Sequence, residues 1–195
     1  MIDIHPIVIK GSWEYGEALD IHTLSSKPRP DGSFDTEYTP LGRALFRLKY
    51  RDDRTQIKPI VETVTSRIRS HPPFQLQFLK SIIPIPPSKN RPFQPVIELA
   101  QAIGKELSLP VPNDYLRKVK NTMELKDISD TDSRREQLQG AFQVVDQRYA
   151  GQSILLFDDL IRSGETLNFA CQAIKTQGNV KYVYVIVLTK TRTKR

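Results

Sequence analysis

The sequence predicts an α/β protein: a parallel sheet with helices on both faces, and a small N-terminal β-hairpin and helix added to it. Three observations lead there. Nearly continuous apolar runs, as at 153–157 and 182–189, read as strands buried on both faces. Stretches with apolar residues three and four apart stand between them and read as amphipathic helices. Strand and helix alternate along the chain, and parallel pairing needs such crossovers.

The elements follow in order. Residues 4–10 read as a strand, with Pro6 placing it at an edge. Residues 18–24 read as its hairpin partner, with His5 and His22 as surface or packing residues. Residues 25–40 are rich in Ser, Pro, Gly and Asp and read as a loop. The helix 41–50 is basic on its polar side, which reads as a solvated face. A second helix runs over 57–68, and Pro72 and Pro73 end it. A buried strand at 81–85 gives way to a proline-stiffened loop and then a helix over 95–107. A further strand is expected at 111–116, a polar loop over 118–133, and short strands at 144–145, 153–157 and 182–189. The last two flank a helix that begins after Thr166 and stops at Gln177-Gly178-Asn179. Residues 1–40 are thus expected to pack as a hairpin and loop on a main domain of 41–195.

Composition bounds the function. The 195 residues suffice for one core, and 38% hydrophobic with 26% charged content is that of an ordinary globular protein. No apolar run approaches the ~20 residues that span a bilayer. The start of the chain lacks a signal-peptide pattern, so a cytoplasmic location without membrane contact is expected. Cys171 is the single cysteine, which excludes an internal disulfide and a cysteine zinc cluster. The net charge of +7 permits affinity for polyanions, either nucleic acid or a diphosphate. Residues 190–195 carry four of the positive charges and read as a solvated end.

The chemistry concentrates in 154–166, Ile-Leu-Leu-Phe-Asp-Asp-Leu-Ile-Arg-Ser-Gly-Glu-Thr. A buried strand leads to Asp158 and Asp159. A turn then opens a helix, whose unpaired N–H groups attract phosphate. Gly164 permits close approach, and Ser163 and Thr166 supply hydroxyls. The two acids suit ribose hydroxyls or water on Mg²⁺. The alternative is a buried strand whose acids cap the next helix. Upstream, Ser88, Lys89 and Arg91 follow the strand at 81–85, where a loop can grip a diphosphate.

The segment 154–166 resembles the phosphoribosyl diphosphate (PRPP) signature of type I phosphoribosyltransferases, a Rossmann-like parallel-sheet fold. Ser163 stands where Thr is usual, and Glu165 where a small residue is commoner. Arg91-Pro92-Phe93-Gln94 and Arg134-Arg135-Glu136-Gln137-Leu138-Gln139-Gly140-Ala141-Phe142 are similar to segments of the family's ComF-like branch, as is the helix 41–50. The chain lacks that branch's four-cysteine zinc ribbon, and Thr122-Met123-Glu124 stands where a Gln is common. The resemblance implies transfer of a phosphoribosyl group to a nitrogen nucleophile with release of pyrophosphate. Asp158 and Asp159 would be the catalytic pair and would position Mg²⁺, directly or through water. Arg162, Ser163, Gly164, Glu165 and Thr166 would cradle the 5′-phosphate. Ser88, Lys89 and Arg91 would meet the pyrophosphate. Lys118, Lys120, Arg134 and Arg135 would lie on a flexible loop that closes over the ligand. The implied partners are PRPP or a ribose-5-phosphate nucleotide and a second copy of the chain. A second expectation is a non-catalytic ComF-like module that keeps the phosphate pocket and binds single-stranded DNA in DNA uptake, or competence.

Overall fold

Five strands form the main sheet of this computed structural model, which describes residues 1–87, 92–119 and 140–192. The described elements are β1 (Ile7–Val8), β2 (Tyr15–Ile21), β3 (Thr23–Pro28), β4 (Phe34–Tyr38), α1 (Pro40–Arg51), α2 (Ile57–Ser70), β5 (Leu79–Pro84), α3 (Pro95–Leu107), β6 (Leu116–Lys118), β7 (Phe142–Val144), β8 (Ser153–Ile161), α4 (Glu165–Thr176) and β9 (Tyr182–Lys190). The sheet order is β1-β2-β9-β8-β5. The four strands β2, β9, β8 and β5 are parallel, and β1 is an antiparallel edge.

The apolar runs are central strands because both their faces are covered. Ile154, Leu156, Val183, Val185 and Val187 face one core together with Leu167, Cys171 and Ile174 of α4. Leu155, Phe157, Ile186 and Leu188 face the other, under α1, α2 and α3. The alternation along β8 is therefore fixed by the packing of both faces.

Five expectations need correction. Residues 25–40 are not a loop, because β3 and β4 pair as an antiparallel hairpin. Both of its faces are largely exposed and polar, so no apolar alternation marks it. The strand expected at 111–116 does not join the sheet. The Pro110 carbonyl touches the free edge of β5, taking Ile82 N–H at 3.0 Å and Ser81 Oγ–H at 2.9 Å. The strand proper is β6, which pairs antiparallel with β7 in a separate two-stranded sheet. Lys118 therefore ends a strand instead of opening a loop. Finally, β8 runs on to Ile161, so the acids lie inside the strand, with Asp158 paired to Val187 of β9. Lys190 closes β9 and is not part of a solvated tail.

The N-terminal hairpin is bonded into the sheet. β2 pairs with β1 on one side and with β9 on the other, from Tyr15↔Tyr184 to Ile21↔Lys190. A buried ion pair ties it to α2. Glu17 is 2% exposed. It accepts Arg67 Nε–H and Nη2–H at 2.9 and 2.7 Å, and also the Tyr15 hydroxyl. Burial pushes the Glu17 carboxyl up, but the bonds from Arg67 and Tyr15 outweigh it and hold the group below its ordinary value. Removing one partner of a buried pair leaves the other charge uncompensated. Arg67→Met is therefore expected to destabilise the fold by about 3–5 kcal/mol, read from equilibrium urea unfolding.

Candidate functional site

All four parallel strands point their C-terminal ends to one edge, where ligands of open α/β sheets bind. The acidic pair of β8 lies at that edge. Consecutive strand residues face opposite ways, so the two carboxylates part. Asp158 follows Ile154 and Leu156 onto the α4 face, and Asp159 follows Phe157 onto the α1 face.

Asp158 is half-buried, and its Oδ1 accepts the Asp159 N–H at 2.8 Å. Burial first, and then the neighbouring Asp159 charge, push its carboxyl up to about 8. Lys49 and Lys118 oppose that rise. Lys118 is half-buried at the end of β6, with its ammonium 6.0 Å above the Phe142 ring. Burial holds that ammonium below the usual lysine range, and Asp158 acts against this.

Asp159 is bound on the other face. Its Oδ2 lies 2.8 Å from Lys49 Nζ of α1, and the two side chains are 10% and 20% exposed. Its carbonyl accepts the Thr189 hydroxyl at 3.2 Å, and Thr189 Oγ1 lies 3.1 Å from His22 Nδ1. Burial, then the Lys49 charge, hold the His22 imidazole below its ordinary value. α1 is seated closely here. Thr39 Oγ1 takes the Gly42 N–H at 3.0 Å and donates to the Ile21 carbonyl at 2.7 Å. A Cβ at Gly42 would run into the His22 carbonyl oxygen. The basic side of α1 is thus not simply solvated. Lys49, His22 and Thr189 belong to the site's surroundings, and nothing in their spacing in sequence marked them.

The turn 162–164 joins β8 to α4. Gly164 holds φ 85°, a left-handed conformation that glycine adopts without strain, and so starts the helix. Arg162 and Ser163 are exposed, and Glu165 and Thr166 are half-buried. The structure therefore gathers Arg162, Ser163, Gly164, Glu165 and Thr166 at one helix start beside the acids. The Glu165 Oε2 accepts the Ser163 hydroxyl at 3.1 Å in an exposed bond.

Ser88, Lys89, Arg91, Lys120, Arg134 and Arg135 lie outside the described residues. β5 ends at Pro84 on that same edge, and the guanidinium of Arg54 lies 4.5 Å from the centre of the Phe93 ring. Among the described residues no group of three or more His, Cys, Asp or Glu could hold a metal. Asp158 and Asp159 could serve an ion such as Mg²⁺ that takes most of its oxygen ligands from substrate and water. A cavity of about 1170 Å³ lies along α2 and α3, lined by Lys58, Glu62, Arg69 and Lys105 among others, and touches neither aspartate. No helix among the described residues is long and apolar enough to cross a membrane.

No protein-family model matches the chain, and no curated protein matches it in sequence. Solved structures do resemble it. The adenine phosphoribosyltransferase of Saccharomyces cerevisiae is 12% identical, with 84% of this chain and 83% of that one covered, at a TM-score of 0.45. That of Leishmania tarentolae is 12% identical, with 94% of each chain covered, at 0.44. The UMP synthase of Leishmania donovani is 16% identical at 0.41, with 85% of this chain covered but only 28% of that longer one. Likenesses so remote assign no function to this chain.

The raised Asp158 carboxyl has a measurable consequence. Between the ordinary 3.8 and about 8 the folded protein holds a proton there that the unfolded chain has lost. Its contribution to stability therefore falls as pH rises through that window. Asp158→Asn removes this fall. The thermal midpoint of the variant minus that of the wild type should increase steadily across the window; a flat difference contradicts the assignment.

Proposed function

We propose that this chain binds PRPP at the C-terminal edge of its parallel sheet and transfers the phosphoribosyl group to a nitrogen nucleophile. The observation that carries this is the half-buried Asp158 near the end of β8, followed by a glycine-started helix N-terminus. A sugar needs acceptors for its hydroxyls, and its phosphate needs unpaired N–H donors close by.

In this reading Asp158 accepts the ribose hydroxyls. The N–H groups of 164–166, with the hydroxyls of Ser163 and Thr166, hold the 5′-phosphate. Lys89 and Arg91, which follow β5 in sequence, would meet the pyrophosphate, and Lys118 stands on the α4 side of the same edge. The N–C1′ bond forms as the C1′–O bond breaks. Pyrophosphate leaves with that electron pair, and the nitrogen loses its proton to solvent. The cationic side chains favour the charge that develops on the leaving group. Mg²⁺, held through Asp158 and water, would neutralise pyrophosphate charge. Residues 120 and 134–135 would supply further cations from the segment between β6 and β7 and help exclude water, which competes with the nitrogen.

One observation favours a second reading. The Glu165 carboxylate occupies the helix start through its bond from Ser163 and would oppose a phosphate there. A ComF-like module that retains the architecture without transfer, and acts on single-stranded DNA, fits that feature and the charge of +7.

Thermal unfolding with Mg²⁺ and PRPP separates these. Transfer chemistry predicts a rise in midpoint equivalent to about 2.7 kcal/mol at a hundred times Kd. It also predicts pyrophosphate release with one member of a panel of nucleobases and amines. The double variant Asp158→Asn, Asp159→Asn should lose the rise. Salt-dependent binding of single-stranded DNA without pyrophosphate release would select the second reading instead.

A further inference from the structure

We infer that Lys49 divides the acidic pair, holding Asp159 on the α1 face as an anchor and leaving Asp158 as the single carboxylate offered to the ligand. The inference rests on the PRPP reading above and names which acid serves it.

The geometry supports it in three ways. First, β8 is covered on both faces, so its side-chain alternation is fixed and the two acids cannot both follow one face. Second, the Asp159–Lys49 contact is short and mostly shielded. Its atoms are 2.8 Å apart, and the carboxylate side chain is 10% exposed. Freeing Asp159 for a ribose hydroxyl would leave an ammonium and a carboxylate unpaired in a largely dry place. One neutral hydrogen bond does not offset that.

Third, both ends of the contact are independently fixed. Thr189 bonds to the Asp159 carbonyl, and Gly42 seats α1 against the His22 carbonyl, so the reach of Lys49 is set by the fold. Lys49 is therefore a positioning residue. It keeps Asp159 turned from the ligand, and it ties α1 and the β3–β4 hairpin to the ligand edge. That hairpin packs on α1 through Tyr38 and Phe46, whose ring centres are 4.9 Å apart.

A double-mutant cycle tests this. PRPP affinity with Mg²⁺ would be measured for Asp158→Asn, Asp159→Asn, Lys49→Met, Lys49→Arg and the pair Lys49→Met with Asp159→Asn. The expected result is a similar, few-fold loss in Lys49→Met and Asp159→Asn that does not deepen when they are combined. Lys49→Arg should restore most of it. Measured above pH 8, where Asp158 is ionised, Asp158→Asn should lose roughly 10- to 100-fold, as for a bond to a charged group. A second readout is one that loss of packing would not produce. Mg²⁺ alone should raise the thermal midpoint of Lys49→Met, where Asp159 is bare, and not that of the doubly substituted protein.

Additive losses in the cycle overturn the inference, as does an Asp159→Asn loss as deep as that of Asp158→Asn. Either result leaves the PRPP reading standing, because the wild type still binds. A wild type that does not bind Mg²⁺–PRPP at all overturns the reading, and the inference with it.

Discussion

The two-residue alternation of β8 is the constraint on which the site depends. A strand buried on both faces cannot slip or rotate by one residue without exposing Leu156 or Phe157, so neighbouring side chains are committed to opposite cores. Extending that commitment two residues further separates Asp158 from Asp159. Burial and the neighbouring carboxylate raise the proton affinity of one, and the other meets an ammonium. Two identical residues, adjacent in sequence, acquire different chemistry from backbone geometry alone.

The N-terminal hairpin and α1 take part in this arrangement. β2 is hydrogen-bonded along β9, which brings His22 beside Thr189 at the ligand edge. Thr39 then turns the chain into α1, and the missing Cβ of Gly42 lets the helix lie against the His22 carbonyl. Lys49 reaches Asp159 from a helix placed in this way. At the other end of β2, the Glu17–Arg67 pair fastens the strand to α2. Side-chain contacts thus fasten both ends of β2, Glu17 to Arg67 at one and His22 to Thr189 just beyond the other.

Much of this was legible in the sequence. The helix 95–107, the helix after Thr166 and the strands at 153–157 and 182–189 follow from apolar periodicity, because tertiary burial and local pattern agree there. The grouping of Asp158, Gly164 and Thr166 followed from strand, turn and helix succession. The β3–β4 hairpin was not legible, since strands exposed on both faces carry no apolar alternation. β6 was misplaced because 111–115, which contains Pro112, forms no ladder, while the pairing residues 116–118 are polar at two of three positions. Lys49 was read as part of a solvated face because spacing along a helix does not say which residue reaches past the helix end. Only the relation of α1 to β8, two elements distant in sequence, reveals it.

The most direct measurement is a crystal structure of the protein grown with Mg²⁺ and PRPP. The account predicts electron density for the ribose against Asp158, the 5′-phosphate over the N–H groups of 164–166, and the Lys49–Asp159 contact intact. Ligand density in the cavity along α2 and α3, or a ribose held by Asp159 with Lys49 displaced, would contradict it.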